Sequence, residues 1–127
     1  MISTLAKIAL ALVTVTTTHA AQAEKPVGDA SRGKIVFARC AACHDVVAGA
    51  NRIGPTLKGV YGRRAGSLQG FAYSSALKKK APLWDNTTLD AYLAAPMKFV
   101  PGTKMAFSGL PVPGQRADLI AYLKSTR

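Results

Sequence analysis

The stretch "RCAACHDV", from Arg39 to Val46, holds both cysteines of the 127-residue chain. Cys40 and Cys43 lie three positions apart, and His44 follows the second cysteine directly. Three kinds of chemistry use thiols at this spacing: a redox disulfide, part of a metal site, or the covalent attachment of a haem. The rest of the sequence has to decide among them.

Haem attachment is the only one of the three that uses all three side chains. A thioredoxin-like pair is expected where a strand opens a helix, but here the pair follows a helical pattern. A structural zinc site takes four ligands, which this thiol pair and one nearby histidine do not supply. Cys-x-x-Cys-His is the signature of c-type haem, in which both thiols bond to the porphyrin and the histidine lies beneath the iron. The motif therefore favours haem over a redox pair or a metal site.

The first 23 residues have the layout of a secretory signal peptide. Lys7 is a basic start, residues 8–15 ("IALALVTV") are apolar, and Ala21-Gln22-Ala23 is an A-x-A cleavage pattern. A membrane anchor is the alternative, but 16 uncharged residues span only about 24 Å as a helix, short of the ~30 Å hydrocarbon core. We therefore predict a signal peptide at residues 1–23, one mature domain at residues 24–127, and a periplasmic protein.

The charge of the chain is strongly positive, with 17 Lys plus Arg against 6 Asp plus Glu. Cleavage after Ala23 removes Lys7 and no acid, which leaves 16 minus 6, or +10, on the mature chain. Such a charge indicates acidic partners, which could be proteins, lipids or nucleic acid. No helix-turn-helix or other nucleic-acid module is recognisable, so we predict no nucleic-acid partner.

Short helices joined by long, glycine-rich loops are predicted for the mature chain, and no run alternates well enough to predict a strand. Asp29 is a candidate N-cap of the first helix, Ser74 or Ser75 of the second and Asn86 of the third, which Pro96 ends. The predicted helices are Asp29 to about Arg39, "SALKKK" at residues 75–80, Thr87 to Ala95, and about Gln115 to Lys124. Pro111, Pro113 and Gly114 are predicted to lie in a loop. The fold class is therefore all-α, and the long loops suit a bound prosthetic group.

Two methionines of the mature chain could supply a second axial ligand to a haem iron. Met97 follows Pro96 at a predicted helix end, where a methionine is ordinarily core filler. Met105 lies in "VPGTKMAF", after a Pro101-Gly102 turn that can bring backbone close to a flat cofactor. Met105 is therefore the candidate ligand, and His/Met ligation is typical of haem proteins with a raised potential.

The chain resembles class I cytochromes c, of the soluble bacterial type that is similar to mitochondrial cytochrome c. The resemblance covers essentially the whole mature sequence, and the order of its pieces makes it specific. These pieces are "GDASRGKIVFARCAACH", "GPTLKGVYGRRAG", "GFAYSSALKKK", "LWDNTTLDAYLAAP", "FVPGTKMAFSGL" and "RADLIAYLK". The resemblance implies a small cytochrome c fold of short helices and long loops around one covalently attached haem c.

The same resemblance implies roles for individual residues. It makes Cys40 and Cys43 the thioether cysteines and His44 and Met105 the axial ligands. It makes Pro55 the acceptor of a hydrogen bond from the proximal imidazole, which would fix the histidine tautomer. Further implied roles are contacts to the haem propionates for Arg63, Tyr73, Trp84 and Thr103, a place beside the methionine sulfur for Tyr92, and a helix crossing at Gly33 and Tyr122.

The resemblance implies a one-electron carrier that is not an enzyme and is monomeric. Its partners would be redox proteins with acidic docking surfaces, and membrane contact would be at most peripheral. Lys58, Lys98 and Lys104 are candidates for a docking ring around the haem edge. Met97 departs from the mitochondrial pattern, which often has a lysine there, and so removes one docking charge. The alternative function is a haem peroxidase or a gas-binding protein, either of which would need a labile sixth ligand.

Overall fold

Residues 23–127, together with residues 14 and 16, are described by the computed structural model of the protein. The proposed signal peptide therefore lies almost entirely outside the described residues. The described chain forms five helices: α1 (Ala30–Phe37), α2 (Ser75–Lys80), α3 (Asn86–Ala94), α4 (Pro96–Phe99) and α5 (Pro113–Ser125). An isolated bridge between Arg64 and Leu83 is the only β-pairing among these residues. The all-α prediction is confirmed.

The first two helices begin where the sequence predicts. The Asp29 side chain accepts a hydrogen bond from the Arg32 amide at the start of α1, and the Ser74 hydroxyl accepts one from the Leu77 amide at the start of α2. Helix α1 ends at Phe37, two residues before the predicted end, and the chain continues in tight turns towards His44.

Two predicted details of the later helices are wrong, and one helix was not predicted. The N-cap of α3 is Asp85 and not Asn86, because the Asp85 carboxylate accepts from the amides of Thr87 and Thr88 in a capping box. Pro96 ends α3 but is also the first residue of α4, which the sequence did not predict. Pro113 opens α5 in place of lying in a loop, since a first-turn proline sacrifices no helical hydrogen bond.

Helices α1 and α5 cross at very short distance. A Cβ atom on Gly33 would collide with the Asp118 carbonyl, so only glycine permits this approach. Phe37 and Tyr122 pack beside the crossing with ring centroids 5.6 Å apart. Asp118 is buried and accepts hydrogen bonds from the Asp29 amide at 2.8 Å and from two guanidinium nitrogens of Arg32 at 2.9 Å each. The crossing thus joins the two ends of the domain.

The hydrophobic core extends from this crossing to α3 and to the loops around it. Its most deeply buried members are Val100, Leu110, Leu119 and Pro96. Core residues such as Trp84, Leu89 and Leu93 also form part of the wall of a large cavity. None of the described helices is both long and apolar enough to cross a bilayer.

Candidate functional site

A cavity of about 320 Å³ lies inside the domain and is lined mainly by apolar side chains. All ten residues that the sequence singled out as a candidate site line it, although they span positions 40 to 105. They are Cys40, Cys43, His44, Pro55, Arg63, Tyr73, Trp84, Tyr92, Thr103 and Met105. Folding therefore brings the whole predicted set to one place.

The two cysteines and His44 reach the cavity because the chain keeps turning after α1. The Cys40 amide donates to the Phe37 carbonyl at 2.7 Å, and the amides of Cys43 and His44 donate to the Cys40 carbonyl at 3.0 and 2.9 Å. Both thiols are partly buried and not joined to one another. Burial raises the pKa of the Cys40 thiol, so this sulfur is held as a thiol at neutral pH.

The His44 ring is held on two sides by the loop that follows it. Its Nδ1 atom lies 2.7 Å from the Pro55 carbonyl oxygen, which can only accept, so Nδ1 carries the proton and donates. Burial lowers the pKa of the imidazole, and the Pro55 hydrogen bond opposes this in part. His44 is therefore neutral at pH 7, with Nε2 unprotonated and able to bind a metal.

Gly54 contacts the same ring, a role that the sequence analysis missed. A Cβ atom at this position would overlap the imidazole, and the Gly54 amide donates to the Cys43 carbonyl at 2.8 Å. The glycine before a proline in "GPTLKG" was the available signal, but only the fold reveals the close approach. The absence of a side chain at residue 54 therefore leaves room for the imidazole of His44.

Met105 lies on the cavity wall next to two hydroxyl groups. The buried Tyr92 hydroxyl lies 3.8 Å from the Met105 sulfur and 3.2 Å from Thr103 Oγ1. The Thr103 oxygen also accepts from the Met105 amide at 3.4 Å. Burial raises the pKa of Tyr92, so its hydroxyl keeps its proton and can donate towards the sulfur.

Arg63 and Tyr73 make one part of the wall polar. Arg63 donates from Nη2 to the Thr56 carbonyl at 2.8 Å and from Nη1 to the Lys58 carbonyl at 3.3 Å. Burial lowers the Arg63 pKa and raises the Tyr73 pKa, but an arginine remains charged in either case. The Trp84 amide donates to the Arg63 carbonyl at 2.9 Å, which fixes these two segments side by side.

The chemistry of this wall fits a haem bound through both thiols. Most of the lining is apolar, as a porphyrin ring requires, and none of the described lining residues is an acid. The Arg63 guanidinium bonds only to carbonyls among the described residues, so its charge is available to an anionic group such as a propionate. Cys40, Cys43 and His44 would hold one side of the group, with Met105 as the remaining candidate ligand.

The rim of the cavity includes one of the three lysines that the resemblance implies for a docking ring. Lys104 lines the cavity, whereas Lys58 and Lys98 are exposed and are not among the lining residues. The docking ring itself stays a prediction. Arg39, Ile53 and Ala106 are exposed and also line the cavity, and the sequence analysis singled out none of them. Exposed loop residues carry no periodic signal, so only the tertiary structure identifies them.

Comparison with known proteins shows which family the chain is similar to. The family model described as "Cytochrome c" matches residues 30–127. The chain is 50% identical over 106 residues to "Cytochrome c" of Guizotia abyssinica, covering 82% of this chain and 96% of that protein. It is also 50% identical over 104 residues to "Cytochrome c" of Ulva intestinalis, covering 80% of this chain and 94% of that protein. Among solved structures, cytochrome cH from Methylobacterium extorquens matches with a TM-score of 0.74 and 50% identity, over 77% of this chain and 99% of that one.

Proposed function

Since this chain belongs to the cytochrome c family, a family of electron carriers with one covalently attached haem c, we propose that it is a periplasmic carrier with His44 and Met105 as axial ligands. The observation that carries this proposal is that four chemically suitable side chains line the same cavity. Cys40, Cys43 and His44 come from one segment, and Met105 lies 61 positions after His44 in the sequence.

Each of these residues has a distinct task in the proposed carrier. Haem c supplies an iron that accepts and releases one electron. Cys40 and Cys43 hold the group covalently, and the Pro55 carbonyl keeps His44 in the tautomer that leaves Nε2 free. The Tyr92 hydroxyl, which is hydrogen-bonded to Thr103, orients the Met105 sulfur, and the Arg63 guanidinium would neutralise a haem propionate. Filled coordination and a rigid cage favour electron transfer over catalysis, so we propose no enzymatic activity.

We propose that residues 1–23 are removed on export and that residues 24–127 form the working domain. The family match begins at residue 30, so the signal-like segment lies wholly before it. Thioether attachment of haem takes place outside the bacterial cytoplasm, which agrees with an exported chain.

The partners that we propose are redox proteins with acidic docking surfaces. All five aspartates of the described chain are used internally, as helix caps, loop anchors or ion pairs with Arg32 and Arg116; they are Asp29, Asp45, Asp85, Asp90 and Asp118. The surface lysines therefore retain their charge for an outside partner, and brief, salt-sensitive encounters are expected of a monomeric carrier.

An absorption spectrum of the protein purified from the periplasm tests the proposal. We expect the sharp visible band of a reduced c-type haem, and in the oxidised protein the weak far-red band of sulfur-to-iron charge transfer. Met105→Ala should abolish the far-red band, while Met97→Ala, which changes an exposed methionine, should leave it intact. A haem without the far-red band, together with rapid carbon monoxide binding at neutral pH, would reject Met105 ligation and favour a ligand-binding or peroxidase role.

A further inference from the structure

Resting on the proposed function, we propose that Arg116, held by Asp90, is a positioning residue that keeps Met105 at the iron and so determines how easily an outside ligand takes its place. Arg116 lies in α5 and does not line the cavity. Its side chain is only 11% exposed and bonds to the chain that follows Met105. Arg116 would therefore act through the backbone, without touching the cofactor.

The segment that carries Met105 has little hydrogen bonding of its own. We call residues 104–109 the Met105 loop. Within the described part of the chain, none of its amides or carbonyls is hydrogen-bonded to another backbone group. Such bonds resume at Thr103, whose amide donates to the carbonyl of the buried Val100 at 3.0 Å, and at Leu110, whose amide donates to a carbonyl of α3 at 2.7 Å. The position of the loop therefore depends on these two anchors.

Arg116 completes the anchor at Leu110. Its Nη1 atom donates to the Leu110 carbonyl at 2.8 Å and to the Pro111 carbonyl at 3.1 Å. Its Nε atom donates to a carboxylate oxygen of Asp90 at 2.7 Å. Leu110 is fully buried, and no other donor of the described chain is hydrogen-bonded to these two carbonyls. Without the guanidinium, a buried carbonyl would lose its partner, which weakens the anchor.

Helix α3 joins this anchor to the sulfur of Met105. A Cβ atom on Gly109 would collide with the Ala94 carbonyl, so the end of the Met105 loop lies directly on the last turn of α3. The same helix carries Tyr92, whose hydroxyl lies 3.8 Å from the Met105 sulfur. Asp90, also on α3, orients the guanidinium that bonds to the loop end. One helix therefore positions the loop end, the sulfur and the cation together.

The bonds of Arg116 should oppose the opening of the Met105 loop. A ligand from solution can replace Met105 only in molecules whose loop has moved away, so its apparent affinity is reduced by the fraction of open molecules. If the Arg116 bonds exist only in the closed arrangement, their loss increases that fraction. A purely structural role between α3 and α5 would instead lower the free energy of unfolding and leave ligand binding unchanged.

Imidazole binding to the oxidised holoprotein measures this opening, because imidazole displaces the methionine and removes the far-red band. Arg116→Leu removes every donor of the side chain. Arg32→Leu is the matched control, because Arg32 also pairs with an aspartate and joins α5 to another helix, but it bonds at the α1–α5 crossing and does not line the cavity. Asp90→Asn is a milder variant, in which a 47% exposed carboxylate loses its charge and keeps an acceptor. Guanidinium denaturation measures the free energy of unfolding of each variant.

We expect Arg116→Leu to bind imidazole about tenfold more tightly than the unmodified protein, and Asp90→Asn about threefold more tightly. Arg32→Leu should unfold more easily and bind imidazole with unchanged affinity. The proposal is overturned if Arg116→Leu binds imidazole normally, or if Arg32→Leu gains as much affinity. If Arg116→Leu does not fold, Asp90→Asn decides, and unchanged imidazole binding by that variant overturns the proposal.

Failure of the proposed function would be seen before any variant is compared. An unmodified holoprotein without the far-red band would contradict Met105 ligation, and this proposal would fall with it. If the band is present, the imidazole results test the role of Arg116 alone.

Discussion

The Nδ1 atom of His44 lies 2.7 Å from the carbonyl oxygen of Pro55, eleven residues further along the chain. This hydrogen bond settles the protonation of both ring nitrogens, because a carbonyl can only accept. Gly54 contacts the same ring through the space that a side chain would fill. One dipeptide thus fixes the tautomer and the position of the proposed iron ligand.

Gly54→Ala should disturb this arrangement, because its methyl group would overlap the His44 imidazole. We expect a loss of about 1–3 kcal/mol in the free energy of unfolding, typical of overpacking, and a lower yield of haem-containing protein. Guanidinium denaturation of the holoprotein measures the first quantity and visible absorbance the second. Gly114→Ala is the control: it meets no neighbouring atom and lies in α5, where alanine should be neutral or stabilising. Equal behaviour of the two variants would contradict the contact with His44.

Tyr92→Phe removes the hydroxyl that lies 3.8 Å from the Met105 sulfur. A donor at this sulfur withdraws electron density from it and favours the reduced iron, so its loss should lower the reduction potential. The expected shift is about 20–60 mV, equivalent to one ordinary hydrogen bond. Potentiometric titration measures it. Tyr122→Phe serves as the reference variant, since Tyr122 packs on Phe37 at the helix crossing and does not line the cavity; a similar shift in both would rule out an effect through Met105.

Protonation of Asp118 should reduce the stability of the domain at low pH. The Arg32 guanidinium and the Asp29 amide hold the pKa of this carboxyl below its usual 3.8. A carboxyl whose pKa is lower in the folded state than in the unfolded state stabilises the fold at pH values above its unfolded-state pKa. That stabilisation is lost as the pH falls through the folded-state pKa. Asp118→Asn should therefore unfold more easily at pH 7 and show a shallower loss of stability below about pH 4.

A double-mutant cycle with Arg32→Gln locates the origin of that effect. If the Arg32–Asp118 pair is responsible, the double variant should be less destabilised at pH 7 than the sum of the single variants. Additive losses would instead assign the effect to the bond between Asp118 and the Asp29 amide.

Lys104→Gln should slow electron exchange with anionic reagents. Lys104 lies on the cavity rim, and Lys124, the comparison residue, lies over the Tyr61 ring away from it. We expect about a twofold lower bimolecular rate for oxidation by an anionic iron complex in low salt, and no difference in high salt. Stopped-flow absorbance measures the rate. A loss of equal size for Lys124→Gln would show that total charge, and not charge at the rim, governs the encounter.

The sequence predicts well those features that depend on local chemistry. Asp29 and Ser74 cap helices as expected, and the predicted α5 is present in full. Errors of one or two residues arise where two neighbours could perform the same task, as Asp85 and Asn86 could at the start of α3. Pro96 was interpreted only as a helix end, although a proline is equally suited to a first turn and opens α4.

The candidate site was predicted largely through resemblance, because residues from 40 to 105 meet only in the folded chain. The motif around His44 indicates a haem without other help. The cavity wall at Tyr73, Trp84 and Thr103 carries no local signal of that kind. Gly54 and Ile53 were missed for the same reason. The contact of Gly54 with the His44 ring and the position of Ile53 at the cavity rim both depend on long-range packing.

The crossing of α1 and α5 has a consequence for how the molecule is assembled. Its hydrogen bonds join Arg32 to Asp118, which lie 86 positions apart in the sequence, and Asp29 to Asp118, which lie 89 positions apart. These bonds cannot form until nearly the whole domain has been synthesised. Closing so long a segment is entropically unfavourable and is among the slower events in the folding of a small domain. The segment bearing Cys40 and Cys43 directly follows α1 and is complete long before α5 exists. The emerging chain therefore offers its thiols on an open, unfinished domain, and the last thirteen-residue helix completes the enclosure.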